Sequence, residues 1–223
     1  MKQSANTGIA ATTSSLAQIV QEYGPFPDAD TIHGVTFDGH HVWAATGSSL
    51  LEFDPAHAQH QITRKLACTC DAGTAFDGTY LYQITGEQIN KIDPADGSVL
   101  ATIPAPGHGN DSGLAWAEGS LWVGQYRNRT IVQINPGTGA VIRTIKSDRF
   151  VTGVTWVDSE LWHGTWEADE SDIRRIDLDS GAVLEQLVMP AGTGVSGLES
   201  DGADLFYCGG GASGKVRAVR RPK

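Results

Sequence analysis

A phrase that occurs five times dominates this sequence and limits the folds that the chain can adopt. The phrase reads Gly-x-x-aromatic-x-x-x-x-aliphatic-aromatic, and its copies start 39, 40, 40 and 44 residues apart. The five copies begin at Gly34, Gly73, Gly113, Gly153 and Gly197. A repeat of about 40 residues that contains only short strand patterns is typical of a β-propeller. The sequence therefore predicts an all-β fold, a five-bladed β-propeller with four-stranded antiparallel blades.

Turn signals divide each copy into four strands. In the second copy, Asp77-Gly78 predicts a tight hairpin between the first two strands, because Gly tolerates the positive φ of such a turn. Asp93-Pro94 and Gly97 predict another turn between the third and fourth strands. Apolar and polar residues alternate with a period of two, which favours strands over helices.

The fifth copy ends after its third strand, so its outer strand has to come from elsewhere in the chain. Residues 19–23, Ile-Val-Gln-Glu-Tyr, match the outer-strand pattern of residues 99–103 in the second copy. We predict that this N-terminal strand completes the last blade and closes the ring, which removes exposed sheet edges that promote aggregation. The predicted organisation is a flexible segment over residues 1–14 and a single propeller domain over residues 15–223.

Composition excludes several classes of partner. The formal net charge of −10 leaves no basic face that could release counterions from nucleic-acid phosphates. No apolar stretch approaches the roughly 18 residues of a membrane span, and the N-terminus lacks the pattern of a signal peptide. Three cysteines, an odd number, fit a reducing compartment better than a disulfide framework. We therefore expect a cytoplasmic protein, monomeric by default, whose partner is a small-molecule substrate.

Several stretches carry a resemblance to known families. Residues 76–82 (Phe-Asp-Gly-Thr-Tyr-Leu-Tyr) and 92–97 (Ile-Asp-Pro-Ala-Asp-Gly) resemble blades of the streptogramin (virginiamycin B) lyase-like propellers. The five copies and the closing residues 205–210 (Leu-Phe-Tyr-Cys-Gly-Gly) are more similar to the glutamine cyclotransferases. The resemblance covers nearly the whole chain. It implies a propeller fold and lyase or cyclotransferase chemistry.

Ligands of propellers usually bind at the axial mouth, and the five copies act there as controls for one another. A residue that departs from its four equivalents is not required by blade packing, so it marks a possible functional position. Glu199 stands where the other copies have Thr or Ala near the axis. His33 directly precedes the first repeat Gly, and His163 follows the aromatic residue of the fourth copy.

A carboxylate near imidazole groups has two chemical uses. It can take part in proton transfer, or it can join the imidazoles in binding a divalent metal that polarises a substrate. We predict Glu199, His33 and His163 as catalytic residues, and the same three are the candidate metal ligands. Whether a metal is bound stays open, and the sequence has no nucleotide or flavin signature. The predicted substrate-binding residues are Trp166, Tyr126, Asp111, Asp71 and Arg127.

Each of these residues also has a purely structural interpretation. Glu199 could hydrogen-bond a neighbouring blade, and His163 could pack between the aromatic side chains that flank it. Asp71 and Asp111 could cap loops, while Arg127 could belong to a surface ion-pair network. Two functions therefore stay open: a small-molecule lyase, cyclotransferase or hydrolase, and a non-catalytic propeller that binds a ligand, glycan or protein. Convergence of the three predicted catalytic residues in one closed cup would favour the enzyme.

Overall fold

The computed structural model describes residues 12–57 and 62–223. These residues form 21 β-strands and no helix. In chain order the strands are β1 (Thr13–Leu16), β2 (Ile19–Tyr23), β3 (Gly34–Phe37), β4 (Val42–Ala45), β5 (Gly47–Phe53), β6 (Ile62–Cys70), β7 (Thr74–Phe76), β8 (Leu81–Thr85), β9 (Gln88–Ile92), β10 (Val99–Pro104), β11 (Asp111–Ala117), β12 (Ser120–Gln125), β13 (Thr130–Ile134), β14 (Val141–Lys146), β15 (Phe150–Val157), β16 (Glu160–Glu167), β17 (Glu170–Ile176), β18 (Val183–Val188), β19 (Leu198–Ser200), β20 (Leu205–Gly209) and β21 (Val216–Arg220).

The strands form five sheets that correspond to the five copies of the phrase. Blades 1 to 4 are β3–β6, β7–β10, β11–β14 and β15–β18, and blade 5 consists of β19, β20, β21 and β2. The innermost strand of each blade contacts the innermost strands of the two neighbouring blades, so the sheets close into a ring. The predicted all-β five-bladed propeller is therefore confirmed.

The N-terminal strand completes the last blade, as predicted. Strand β2 pairs antiparallel with β21, with Ile19 opposite Val219 and Tyr23 opposite Val216. Residues 1–11 of the predicted flexible segment lie outside the described residues. Strand β1 begins at Thr13, pairs in parallel with β18 and adds a fifth strand to blade 4. The N-terminal segment therefore holds two adjacent blades.

The five repeat glycines surround the propeller axis. A Cβ atom at any of them would lie at most 2.9 Å from a backbone atom of the matching glycine in the next blade. Only a residue without a side chain permits such a close approach of backbones. This glycine ring is therefore the structural reason why each copy of the phrase begins with Gly. Residues that precede these glycines lie at the mouth of the propeller, and residues that follow them lie on the other side of the glycine ring.

The aromatic positions of the phrase pack between neighbouring blades. Tyr82 of blade 2 stacks on Trp116 of blade 3 with ring centroids 5.4 Å apart, and Trp122 stacks on Trp156 of the next blade at the same distance. Ser200 replaces the corresponding aromatic residue in blade 5. All three cysteines are free thiols. The described part of the chain contains no helix long and apolar enough to span a membrane.

Candidate functional site

A cavity of about 540 Å³ opens at the mouth of the propeller, on the side where each innermost strand begins. We call it the cup. Its walls come from the residues just before the glycine ring and from the connections between second and third strands. The polar and aromatic side chains that line it are Thr31, His33, Asp71, Asp111, Ser112, Tyr126, Thr152, Trp166, Ser196 and Ser213. Size and composition suit a small organic ligand.

His33 reaches the cup from the residue before β3. Its backbone N–H donates to the carbonyl of Ala45 at 2.8 Å, which fixes the start of blade 1. The side chain is half-buried, and its ring lies over Gly47, where a Cβ atom would come within 3.5 Å of Nε2. Burial lowers the pKa of His33, although the nearby Asp71 charge opposes the change. The imidazole is therefore neutral at pH 7 and can accept a proton.

Asp111 is the buried acid of the cup. The N–H of Gly107 donates to its Oδ2 at 2.9 Å, and Nε2 of Gln125 donates to its Oδ1 at 3.3 Å. Asn128 and Thr130 each donate to Oε1 of Gln125 at 2.9 Å, so the orientation of that amide is fixed. Burial raises the pKa of Asp111 above its ordinary value. A carboxyl group whose pKa moves towards neutrality is suited to exchange protons with a ligand.

Asp71 differs from Asp111 in its surroundings. It lies exposed at the rim of the cup, and its Oδ1 accepts a long hydrogen bond of 3.4 Å from the N–H of Gly86. An exposed carboxylate keeps its hydration. Asp71 therefore provides negative charge at the entrance, close enough to act on the imidazole of His33.

Two aromatic side chains form the less polar wall. Tyr126 stacks on Phe150 with centroids 4.7 Å apart, and Trp166 lies against Gly194. Arg129 covers the other side of this stack, with its guanidinium carbon 4.4 Å from the centre of the Phe150 ring. Tyr126 and Trp166 line the cup, as do Asp71 and Asp111, whereas Arg127 is exposed in the adjacent turn and does not.

The hydroxyl groups next to the glycine ring differ in availability. Ser112 donates to the carbonyl of Val151 at 2.6 Å, and Ser196 donates to the carbonyl of Ile32, so both hold neighbouring blades together. The equivalent residue of blade 4 is Thr152. Its buried hydroxyl has no hydrogen-bond partner within the described residues. Thr152 lines the cup, and a rotation of its side chain would bring this hydroxyl to a ligand. Thr152 was not among the predicted site residues, because Thr is an ordinary residue for this position.

Glu199 lies beyond the glycine ring rather than in the cup. Thr36 donates to its Oε2 at 2.9 Å and Thr155 donates to its Oε1 at 2.6 Å, so the carboxyl group joins blades 1, 4 and 5. The N–H of Ser200 adds a third hydrogen bond, of 2.9 Å. Burial raises the pKa of Glu199 to about 7, although the two threonine hydroxyls oppose the change.

His163 lies inside the sheet of blade 4. It is 1% exposed, and its Nδ1 has no hydrogen-bond partner within the described residues. Burial, followed by the charge of Arg174, lowers the pKa of His163 to about 4, so the ring is neutral. Of the three predicted catalytic residues, only His33 lines the cup. The structure does not bring His33, Glu199 and His163 together around one cavity.

A group of possible metal ligands lies at the opposite end of blade 1. Asp38, His41 and Glu52 each place one donor atom within 4.8 Å of the other two. These three residues were not among the predicted metal ligands, although a signal exists in the repeats. Glu52 pairs across the sheet with Trp43, the aromatic residue of the second strand. At the position equivalent to Glu52, blade 2 has Lys91 and blade 4 has Arg175.

Comparison with known proteins shows the fold but no family. No protein-family model matches the chain, and no curated protein sequence matches it. Among solved structures, the glutaminyl cyclase of Myxococcus xanthus has a TM-score of 0.74 and 17% identity, over 94% of this chain and 98% of that chain. Virginiamycin B lyase from Staphylococcus aureus has a TM-score of 0.52 and 13% identity, over 89% of this chain and 69% of that chain. A chain of a mitotic checkpoint complex has a TM-score of 0.52 and 16% identity, over 86% of this chain and 62% of its own.

These similarities confirm the resemblance inferred from the blade phrases at the level of the fold. The identities are low, and the matching chains include two enzymes and a component of a larger assembly. One fold can carry unrelated functions, so the function has to be argued from the cup itself. The chain is a five-bladed β-propeller similar in fold to a glutaminyl cyclase and to a virginiamycin B lyase.

Proposed function

We propose that the cup is the active site of a small-molecule enzyme that transfers protons during cyclisation, elimination or hydrolysis. The observation that carries this proposal is the pairing of two unlike titratable groups in one cavity. Burial shifts the pKa of Asp111 upwards and the pKa of His33 downwards. The two shifts move the pKa values of the carboxyl group and the imidazole towards each other, so the pair can act as acid and base over one pH range.

The two groups have complementary roles in this proposal. In a cyclisation or elimination, one substrate atom loses a proton and the leaving group gains one. Neutral His33 is the proton acceptor, and the carboxyl group of Asp111 is the proton donor. Gln125 acts as a positioning residue, because its fixed amide holds one oxygen of Asp111 and leaves the carboxyl group in a defined orientation.

The remaining lining residues support binding of a partly apolar substrate. Tyr126 and Trp166 offer flat apolar surfaces, which exclude water from the acid and base. The hydroxyl of Thr152, which has no partner within the described residues, can hydrogen-bond a polar substituent of the substrate once the side chain rotates towards the cup. Asp71 adds negative charge at the entrance, which favours a substrate that carries an amine.

A divalent metal in the cup has less support than direct proton transfer. Of the three metal ligands predicted from the sequence, His33 alone lines the cavity, and within the described residues it belongs to no group of three donors close enough to hold a metal ion. Glu199 and His163 stay predictions as catalytic residues, and the proposed chemistry does not depend on them. The candidate metal ligands at the far end of blade 1 take no part in the chemistry proposed for the cup.

The reactions named by the two enzymes of similar fold are the first to test. Cyclisation of an N-terminal glutamine joins its amine nitrogen to its side-chain carbonyl carbon and releases ammonia, which a coupled assay detects. Opening of virginiamycin B is followed by chromatography. We expect turnover in one of the two assays. Since a general acid contributes about 10²–10⁴-fold, Asp111→Asn should lower kcat by that factor.

The control variant removes the carboxylate of an exposed aspartate. Asp179 lies in a turn at the opposite face of the propeller. Asp179→Asn should keep kcat within about 2-fold of wild type. An unchanged kcat in Asp111→Asn contradicts the proposed acid. Saturable binding of either compound in the cup without any turnover supports the non-catalytic binding propeller instead.

A further inference from the structure

The corner of blade 1 farthest from the cup contains the group of Asp38, His41 and Glu52. Asp38 and His41 belong to the hairpin between β3 and β4, and Glu52 lies near the end of β5. Nδ1 of His41 is 3.6 Å from Oδ2 of Asp38 and 3.3 Å from Oε1 of Glu52. The sequence separation of hairpin and strand means that only the folded blade brings these three donors together.

The other blades show what normally occupies this corner. In blade 2, Asp77 takes the place of Asp38, and Lys91 takes the place of Glu52. The ammonium nitrogen of Lys91 lies 3.4 Å from Oδ2 of Asp77. Blade 4 has a related pair, in which Arg175 is 2.7 Å from Glu160. These two blades thus supply a cation from their own third strand, whereas blade 1 supplies a second carboxylate.

The charges in blade 1 are only partly balanced. The Glu52 side chain is 8% exposed, and its Oε2 lies 3.2 Å from Nε of Arg64, which comes from the outer strand β6. Its Oε1 points instead towards His41. Burying two carboxylates beside one guanidinium is unfavourable unless another positive charge is present. A bound cation can provide that charge.

The donor atoms are already held in place by a second layer of contacts. The N–H groups of His40 and His41 donate to Oδ1 of Asp38 at 2.8 and 2.7 Å, and Nε1 of Trp43 donates to Oδ2 at 2.8 Å. Metal-binding carboxylates are commonly oriented by such outer contacts.

The spacing of the donors fits a small transition-metal ion. Zinc binds His nitrogen and carboxylate oxygen at about 2.0–2.2 Å, which puts two ligands of a tetrahedral site about 3.4 Å apart. Two of the donor separations, 3.6 and 3.3 Å, lie close to that value. His41 is about one-third exposed, so the open side of the site faces solvent.

We propose that Asp38, His41 and Glu52 bind one divalent transition-metal ion of the Zn²⁺ type, with water as the remaining ligand. The ion replaces the internal cation of blades 2 and 4 and ties the first hairpin of blade 1 to its third strand. The site is structural and independent of the cup. Whether this site binds a metal does not affect the proposed function, because none of its residues lines the cup.

The test uses the full chain, stripped of metal with a chelator and then titrated with ZnCl₂. Bound zinc is counted by elemental analysis after desalting, and the melting temperature is measured alongside. We expect one zinc ion per chain. At a zinc concentration 100-fold above Kd, the melting temperature should rise by about 5–10 °C, since only the folded chain assembles the site.

Two variants copy the arrangement that blade 2 already uses. Glu52→Lys supplies the internal cation, and His41→Tyr supplies the residue found at the matching position, Tyr80. Each should fold without zinc, judged by its melting temperature in chelator, and should lose at least 100-fold in zinc affinity. His40→Ala, at the exposed neighbouring position, is the control and should bind zinc within about 3-fold of wild type. Stoichiometric zinc in both site variants, or none in wild type, overturns the proposal.

Discussion

The carboxyl group of Glu199 makes a specific contribution to the pH dependence of stability. Its pKa in the folded protein is about 7, compared with an ordinary value of 4.5. Each unit of difference corresponds to about 1.36 kcal/mol, so the charged form destabilises the fold by about 3 kcal/mol at most. The residue is partly accessible to solvent, and water that reaches its carboxyl group lowers this figure to about 2 kcal/mol.

The sign follows from the raised pKa. Between pH 4.5 and 7 the folded state holds a proton that the unfolded state has already lost. The contribution of the group is complete below pH 4.5 and disappears as the pH rises through 7. Glu199→Gln removes this titration but keeps hydrogen-bonding groups for Thr36 and Thr155. The variant should therefore gain about 2 kcal/mol relative to wild type between pH 4.5 and pH 8.

Urea unfolding of both proteins, at several pH values across this range, measures the effect. The difference between the two free energies of unfolding isolates Glu199, because all other groups titrate in both proteins. Glu87→Gln, at an exposed position, is the matched control for loss of a carboxylate. A difference between Glu199→Gln and wild type that stays constant within about 0.5 kcal/mol would refute the assigned burial.

Two further predictions concern the ring itself. Gly153→Ala places a methyl group 2.6 Å from the backbone nitrogen of Leu198. The variant should therefore lower the free energy of unfolding, measured in urea, by about 3 kcal/mol or more. Gly78→Ala is the control for backbone strain alone, because Gly78 has open space around it but a positive φ. Removal of residues 1–23 exposes the edges of β21 and β18, so the truncated chain should form aggregates that size-exclusion chromatography detects. A soluble monomer with an unchanged melting temperature would contradict this role of β1 and β2.

Repetition explains why the fold could be predicted from the sequence. Five aligned copies identified the strands, the turns and the missing outer strand, because each copy obeys the same local rules of alternation and turn formation. The pairing of Ile19–Tyr23 with the last blade followed from this comparison alone. Strand β1 was not predicted, because Thr13–Leu16 is polar and its partner β18 already had an outer-strand role.

The site was harder to predict than the fold. A residue that departs from its equivalents in the other copies is not required by packing, but this departure does not show where its side chain points. His33 and Glu199 are only a few positions apart in the repeat, yet the glycine ring lies between them. That ring depends on contacts between blades, which no single copy reveals. Asp111 was predicted to bind substrate, but its raised pKa depends on burial and on the loop at Gly107. Local sequence does not contain this information.

The closure of the ring by β2 has a consequence for how the protein folds. Ile19 and Val219 are paired although 200 residues separate them in the chain. Contacts between such distant residues form slowly, because a long loop has to be closed before they are made. During synthesis β2 has no pairing partner until β21 has left the ribosome. We therefore expect ring closure to be the last and slowest step of folding, and the nascent chain to depend on protection of its N-terminal strand until then.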